Sequence, residues 1–293
     1  MNISVTGSAG YIGASFAYKC LEDGHSVVGI DNYSNSSDKH TKILKAKSKD
    51  FMFIEADLSK NISNEIQKNI SKKQIDIVVH FAALKSVSES EKLPMKYWDN
   101  NVGASINLIN ILKNLGIKKL IFSSSATVYG DSEIQPVTEE CKMSPMSTYG
   151  STKIACEYLF NDACKAGDLD VIHLRYFNPV GALKSVDIYD DPYACPANIM
   201  PRLVRTALGI EKHMYIWGND YGTKDGTGAR DYIHIADLVE GHISAMNFLK
   251  FSTGSLAFNL GTGNSITVLE LIKKFETINN VKIPISFEKR RKG

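Results

Sequence analysis

Short apolar runs alternate with amphipathic stretches through the first half of the chain. Residues 2–6 are β-prone and end in a glycine-rich turn, after which residues 11–22 continue with helical character until Asp23-Gly24 stops them. The beat repeats. Strands are predicted at 26–30, 51–56, 75–81, 119–122 and 171–176, and helices at 38–49, at 94–116 and from Tyr149 to about Lys165. This βα alternation predicts an α/β fold, a right-handed, doubly wound parallel sheet of Rossmann-like type.

After Gly181 the rhythm changes. A loop over 182–196 precedes a helix near 199–208, a strand at 214–217, a glycine-rich loop to Gly228 and the polar run 230–234. Helices at 236–249 and 268–275 and strands at 255–259 and 283–287 follow. These predict a second, smaller mixed α/β lobe, with residues 1–181 as the large domain and 182–293 mainly as the small one, some segments of it returning to the large.

Composition narrows the picture. A chain of 293 residues buries about 75% of the surface it exposes unfolded, enough for one large core and a smaller lobe without staples. The 34 basic and 32 acidic residues nearly cancel, so neither nucleic acid nor membrane is implied as a partner. Lys39, Lys42, Lys45, Lys47 and Lys49 cluster without interleaved aromatics and read as a solvated helix face. Cys20, Cys141, Cys156, Cys164 and Cys195 show no C-x-x-C spacing and read as free thiols of a reducing compartment. No apolar run reaches about 18 residues, and the first strand begins at Asn2, leaving no room for a signal peptide. A cytoplasmic protein is expected. No His/Asp/Glu cluster has ligand spacing, which disfavours a metal hydrolase.

Candidate chemistry lies at the carboxyl ends of the predicted strands, where open α/β sheets keep their ligands. Gly7, Gly10 and Gly13 are spaced G-x-x-G-x-x-G between the first strand and helix. Such glycines let backbone approach a pyrophosphate at a helix N-terminus; taken alone, the spacing also fits a tight turn without ligand. The second strand runs into Asp31, at the offset where a carboxylate meets the adenosine ribose hydroxyls and repels a 2′-phosphate, favouring NAD over NADP. Asp57 suits either an adenine amino group or a helix cap. Ala82 and Ala83 permit close cofactor approach, and His80 reads as packed structure. Asn100 or Asn101 is placed to brace active-site backbone.

Tyr149 and Lys153 are spaced i,i+4, so a helix opening at Tyr149 stacks a phenol and an ammonium on one face. A fixed cation favours the phenolate, which makes the tyrosine a usable general base. The spacing alone fits an ordinary surface pair as well. Upstream, the predicted strand 119–122 ends in Ser123-Ser124-Ser125.

Taken jointly, these features follow the order of the short-chain dehydrogenase/reductase superfamily, and longer stretches carry the likeness further. Thr6-Gly-Ser-Ala-Gly-Tyr-Ile-Gly13, His80-Phe-Ala-Ala-Leu-Lys85, Asp99-Asn-Asn-Val102, Phe122-Ser-Ser-Ser-Ala-Thr-Val-Tyr-Gly130, Leu174-Arg-Tyr-Phe-Asn-Pro-Val-Gly181 and Asp225-Gly-Thr-Gly-Ala-Arg-Asp-Tyr-Ile-His234 resemble the UDP-glucose (UDP-galactose) 4-epimerases of its extended branch, over essentially the whole chain. The resemblance implies that NAD takes hydride from C4 of a UDP-hexose while Tyr149 removes the 4-hydroxyl proton, Ser125 bonds the same oxygen, and Lys153 bridges the nicotinamide ribose. It implies cofactor contacts from Tyr11, Ile12, Asp31, Asn32, Asp57, Leu58, Phe81, Ala82, Lys85, Asn100 and Phe177 beside the glycines. Lys85, Ser125, Tyr149, Asn178, Asn198, Ile199, Ile216, Trp217, Arg230 and Arg291 are implied as substrate contacts, and a homodimer as the assembly. Arg230 and Arg291 make chemical sense as a diphosphate clamp, and Trp217 as a flat face for uracil or ribose, or as a core side chain.

Family members continue past the point where Arg290-Arg291-Lys292-Gly293 ends this chain, so an incomplete substrate lobe is expected. The resemblance implies that the segment beyond includes the position governing acceptance of N-acetylated sugars, which leaves N-acetylated UDP-hexoses as an alternative substrate and, if the chain is truncated, a catalytically weak NAD-binding protein as an alternative role. A nucleotide-sugar 4,6-dehydratase needs an Asp-Glu acid/base pair after the strand-end hydroxyl; here those places hold Ala126 and Thr127.

Overall fold

Each apolar run of the N-terminal half is a strand of one parallel sheet in the computed structural model, which describes residues 1–184, 186–190 and 198–290 and, at Glu65, the backbone alone. In chain order the first half comprises β1 (Asn2–Thr6), α1 (Tyr11–Glu22), β2 (Ser26–Asp31), α2 (Lys39–Lys47), β3 (Phe51–Glu55), α3 (Asn64–Ser71) and β4 (Ile77–His80). Then come α4 (Val87–Lys92), α5 (Pro94–Tyr97), a π-helical turn (Trp98–Val102), α6 (Gly103–Leu115), β5 (Lys119–Ser125), a 3₁₀ turn (Ala126–Val128), α7 (Thr148–Lys165), β6 (Asp170–Tyr176) and β7 (Asn178–Val180). The remainder is α8 (Ile199–Ala207), β8 (Met214–Trp217), β9 (Ala229–His234), α9 (Ile235–Leu249), β10 (Ser255–Leu260), β11 (Ser265–Thr267), α10 (Val268–Asn279) and β12 (Ile285–Glu288).

The large sheet has the order β10-β6-β5-β4-β1-β2-β3 and is parallel throughout. Successive strand residues serve opposite faces. Val27, Val79, Ile121 and Ile172 join Phe16, Ala17, Leu238 and Met246 on one side, while Val28, Val78, Leu120 and Val171 join Leu108, Leu112 and Phe160 on the other. Burying each such large side chain stabilises by about 1.5–3 kcal/mol, which is why these strands read as unbroken apolar runs.

Beyond Gly181 the chain serves both lobes. β10 pairs with β6 from Ser255↔Val171 to Leu260↔Tyr176, and α9 packs on α1, so this stretch extends the large sheet. The smaller lobe is mixed: β8 and β12 pair beside α8 and α10 around Leu203, Met214, Ile216, Ile272 and Ile283, while β11, β9 and β7 form a third small sheet.

Two short helices, α3 and α4, have no counterpart among the sequence expectations. α3 shows only Ile66 and Ile70 as an apolar face, and α4 (Val-Ser-Glu-Ser-Glu-Lys) has almost none; Ser63 and Ser86 cap them by accepting from Ile66 N and Glu89 N. The helix expected over 94–116 is interrupted by the π-helical turn. Among the described residues no helix is long and apolar enough to cross a membrane.

Candidate active site

The strand order reverses between β1 and β4, and the crevice at such a switch point is where doubly wound sheets bind their ligands. The glycine turn opens into it. Gly7 has φ +72°, and a Cβ on it would lie 2.8 Å from the Ala82 nitrogen; a Cβ on Gly13 would lie 2.2 Å from the Gly7 carbonyl oxygen. Any side chain would fill this cradle. α1 begins at Gly10 without a side-chain cap, which leaves its first-turn N–H groups and the positive end of its dipole for an anion. Asp31 closes β2 with its carboxylate accepting from Ala9 N at 3.0 Å, Tyr33 N at 2.8 Å and the Ser36 hydroxyl at 3.3 Å. Burial pushes its pKa up, against those bonds. A flexible-backbone anion cradle followed by a fixed carboxylate fits a dinucleotide with free ribose hydroxyls.

One open cleft of about 2100 Å³ runs from this cradle to the second lobe. Gly7, Gly10, Tyr11, Ile12, Gly13, Asp31, Asn32, Asp57, Leu58, Phe81, Ala82, Lys85, Asn100 and Phe177 all line it. Asp57 makes a local turn, accepting from the Ser59 nitrogen and hydroxyl, and caps no helix. His80 is buried in the sheet, bonded to Thr6 at 2.7 Å and Ser105 at 3.3 Å, with burial holding its pKa down at about 3. It is packed structure.

Tyr149 enters the cleft on the first turn of α7, whose start is held by several bonds. Ser147 accepts from Gly150 N, the Ser90 hydroxyl from Tyr149 N and the Glu91 carboxylate from Thr148 N. Gly150 lets α7 approach the turn after Ser125; a Cβ there would lie 2.9 Å from the Thr127 carbonyl oxygen. Asn101, in the π-helical turn, supplies the expected brace. Its amide accepts from Leu84 N at 2.8 Å and donates to Leu84 O and to the Thr152 hydroxyl, both at 3.1 Å.

Ser123, Ser125, Tyr149 and Lys153 meet in the cleft. Lys153 is 2% exposed and donates from Nζ to the Ser123 carbonyl at 2.7 Å; Ser125 accepts from Thr127 N and the Thr127 hydroxyl. Spacing predicts a depressed phenol pKa, and the protein groups alone give the reverse. Burial pushes Tyr149 up to about 12, only partly offset by its bond to Ser125, and burial lowers Lys153 to about 8.

The cleft continues into a cavity of about 670 Å³ lined by Asn178, Asn198, Ile199, Ile216, Trp217 and Arg230. Arg291 lies outside the described residues, as does Cys195. The Arg202 guanidinium stands 4.9 Å from the Trp217 ring centroid. Sequence reasoning missed Arg202, Tyr221 and Arg290. Arg290 lines the cleft, stacks on Tyr221 at 4.1 Å and bonds Asp220, neighbours that only the folded chain supplies. It also missed Asp190, which accepts from Asn198 at 2.6 Å and pairs with Lys85 at 3.2 Å. Among the described residues no group of three or more His, Cys, Asp or Glu is arranged to hold a metal.

Known proteins share this fold and much of this sequence. The sequence model of the NAD dependent epimerase/dehydratase family matches residues 3–261. The chain is 42% identical over 295 residues to a UDP-glucose 4-epimerase of Bacillus subtilis, covering 100% of this chain and 86% of that protein. With the Dictyostelium discoideum UDP-glucose 4-epimerase it shares 43% over 296 residues, 99% of this chain and 85% of that one. A UDP-glucose 4-epimerase structure from Stenotrophomonas maltophila, with bound NAD and formylated UDP-arabinopyranose, superposes with a TM-score of 0.94 at 41% identity, covering 100% of this chain and 87% of that one. One from Bifidobacterium longum in complex with NAD+ and UDP gives 0.94 at 37% identity, covering 100% and 88%.

Proposed function

The chain belongs to the NAD dependent epimerase/dehydratase family and, within it, to the UDP-glucose 4-epimerases, and on that premise we propose that it interconverts UDP-glucose and UDP-galactose at C4 with resident NAD. The observation that carries this reading is the position of the Tyr149–Lys153 pair, in a cleft with a dinucleotide cradle at one end and the cavity of Trp217 and Arg230 at the other.

When bound, NAD would supply both the acceptor for the C4 hydride and, once reduced, its donor back to C4, and in its oxidised form a positive charge beside the phenol. Gly7, Gly10 and Gly13 with the α1 N-terminus would hold its diphosphate, Asp31 its adenosine ribose, and Asn32, Asp57, Leu58, Phe81, Ala82, Lys85, Asn100 and Phe177 the rest of its outline. Arg230 pairs with the substrate diphosphate and Trp217 faces uracil or ribose, while Asn178, Asn198, Ile199 and Ile216 shape the remaining wall. Tyr149 takes the proton from the sugar O4 as that oxygen becomes a carbonyl, and Ser125 donates a hydrogen bond to it. The ketone, planar at C4, turns over in the cleft, and Tyr149 returns the proton to the same oxygen with C4 inverted and no net oxidation. We place the cofactor half on the large sheet and the substrate half on β7, β9, α8, β8, α10 and β12. Exposed Ile106 on α6 and Tyr158 on the adjoining α7 support pairing with a second copy, and the free thiols support a cytosolic location.

Incubation of the holoprotein with UDP-galactose, without added reductant, is expected to yield UDP-glucose until the two equilibrate. A product analysis that finds no UDP-glucose despite bound NAD contradicts the proposal. The pH dependence is also signed. Protonation of Tyr149 stops turnover, so kcat rises with pH along an acid limb, and a cation beside the phenol lowers the pH of that limb. Lys153→Met is expected to move the limb to higher pH; a limb that stays in place removes the lysine from this role.

A further inference from the structure

β5 delivers three consecutive serines to the site, and each is held from a different direction. The Ser123 carbonyl accepts Lys153 Nζ at 2.7 Å, and its hydroxyl pairs with the Tyr176 phenol. Ser125 lines the cleft beside Tyr149. Ser124, between them, points to the opposite face of the strand, where it is fully buried and donates to Glu157. Glu157 follows Lys153 by one turn of α7, so one helix face carries the ammonium and then the carboxylate.

Arg175, the register partner of Ser124 on β6, grips that carboxylate with a fork, Nε to Oε1 at 3.0 Å and Nη2 to Oε2 at 2.6 Å. The two side chains are 7% and 1% exposed. The guanidinium also donates to the Tyr129 hydroxyl at 3.0 Å and to the Glu139 carbonyl at 3.1 Å, and Tyr129 donates onward to Asn259 at 2.7 Å. A buried ion pair is a poor source of net stability, because apolar groups of the same volume often do as well or better. Its geometry is informative. The pair ties together α7, β5, β6 and the segment after the 3₁₀ turn, the pieces whose mutual placement sets Ser125 and Lys153 against Tyr149.

We propose that Glu157, anchored by Arg175, is a positioning residue for proton transfer: through Ser124 it fixes the end of β5, and with it the Ser123 carbonyl that holds Lys153 and the Ser125 hydroxyl. The inference rests on the epimerase reading above. Ser124→Ala, made in the full chain with its NAD, removes only the hydroxyl that couples Glu157 to the strand and leaves the ion pair intact. Ser124 and Glu157 are not among the cleft-lining residues, so KM for UDP-galactose and NAD content after gel filtration are expected to stay near wild type. The expected loss is in kcat, about tenfold to a hundredfold, as for a small misplacement of reacting groups. Glu157→Gln is expected to show the same split; should it fail to fold, Ser124→Ala decides alone. A Ser124→Ala enzyme with wild-type kcat, or with raised KM and unchanged kcat, overturns the proposal and leaves the pair as a structural brace. A wild-type protein inactive toward UDP-galactose overturns the reaction assignment itself, and the inference with it.

Discussion

Tyr149→Phe is expected to lose about 10²–10⁴-fold in kcat for UDP-galactose while retaining its NAD. The substitution removes one oxygen and leaves the ring, and the start of α7 is held by Ser90, Glu91 and Ser147 through backbone groups that it does not touch. Binding of cofactor and nucleotide is therefore expected to survive. Tyr176 is no substitute base. Its hydroxyl is tied to Ser123, and burial pushes its pKa up as well. Steady-state kinetics together with NAD content after gel filtration check this, and a variant within tenfold of wild type takes the tyrosine out of the mechanism.

The second large effect is on stability. Arg175→Met leaves the Glu157 carboxylate, 1% exposed, with the Ser124 hydroxyl in place of a guanidinium fork. Removing one partner of a buried pair costs about 3–5 kcal/mol, because the remaining charge is uncompensated. The cost carries a pH signature. In the wild type burial raises the Glu157 pKa but Arg175, with His173 and Ser124, outweighs it, so the carboxyl titrates below the ordinary range and contributes stability that is lost as pH falls. With the guanidinium gone, the burial that is the largest influence on this carboxyl is expected to raise the folded pKa, so stability is lost as pH rises from the ordinary glutamate range up to that raised value. The gap between wild type and variant therefore widens from acid toward neutral pH. Urea denaturation at several pH values measures it, and Glu157→Gln combined with Arg175→Met is expected to recover much of the loss. An unchanged urea midpoint in the single variant contradicts this account.

Much of the large sheet was legible because its strands are buried on both faces, and burial on both faces writes itself as unbroken apolar runs such as Leu120-Ile121-Phe122. The place of β10 was not. Ser255–Leu260 reads as a strand in either lobe, and only its parallel pairing with β6 assigns it. α4 was invisible because its stability comes from a serine cap and tertiary contact rather than from a periodic apolar face. At the site, i,i+4 spacing foretold that Tyr149 and Lys153 meet, but spacing carries no information on desolvation, which sets the sign of both shifts. Arg175 was visible as a charge within the apolar run Val-Ile-His-Leu-Arg-Tyr, and Glu157 as the next turn after Lys153. Their pairing belongs to the packing of α7 on β6, which no local pattern encodes.

The most direct measurement is turnover of UDP-galactose deuterated at C4 by the holoprotein in ordinary water, followed by mass analysis of the product. Hydride that leaves and returns within one cleft predicts UDP-glucose with the deuterium still on C4, while the 4-hydroxyl proton, passed through Tyr149, exchanges with solvent. Unlabelled UDP-glucose, or a label found at any other carbon, would contradict the account.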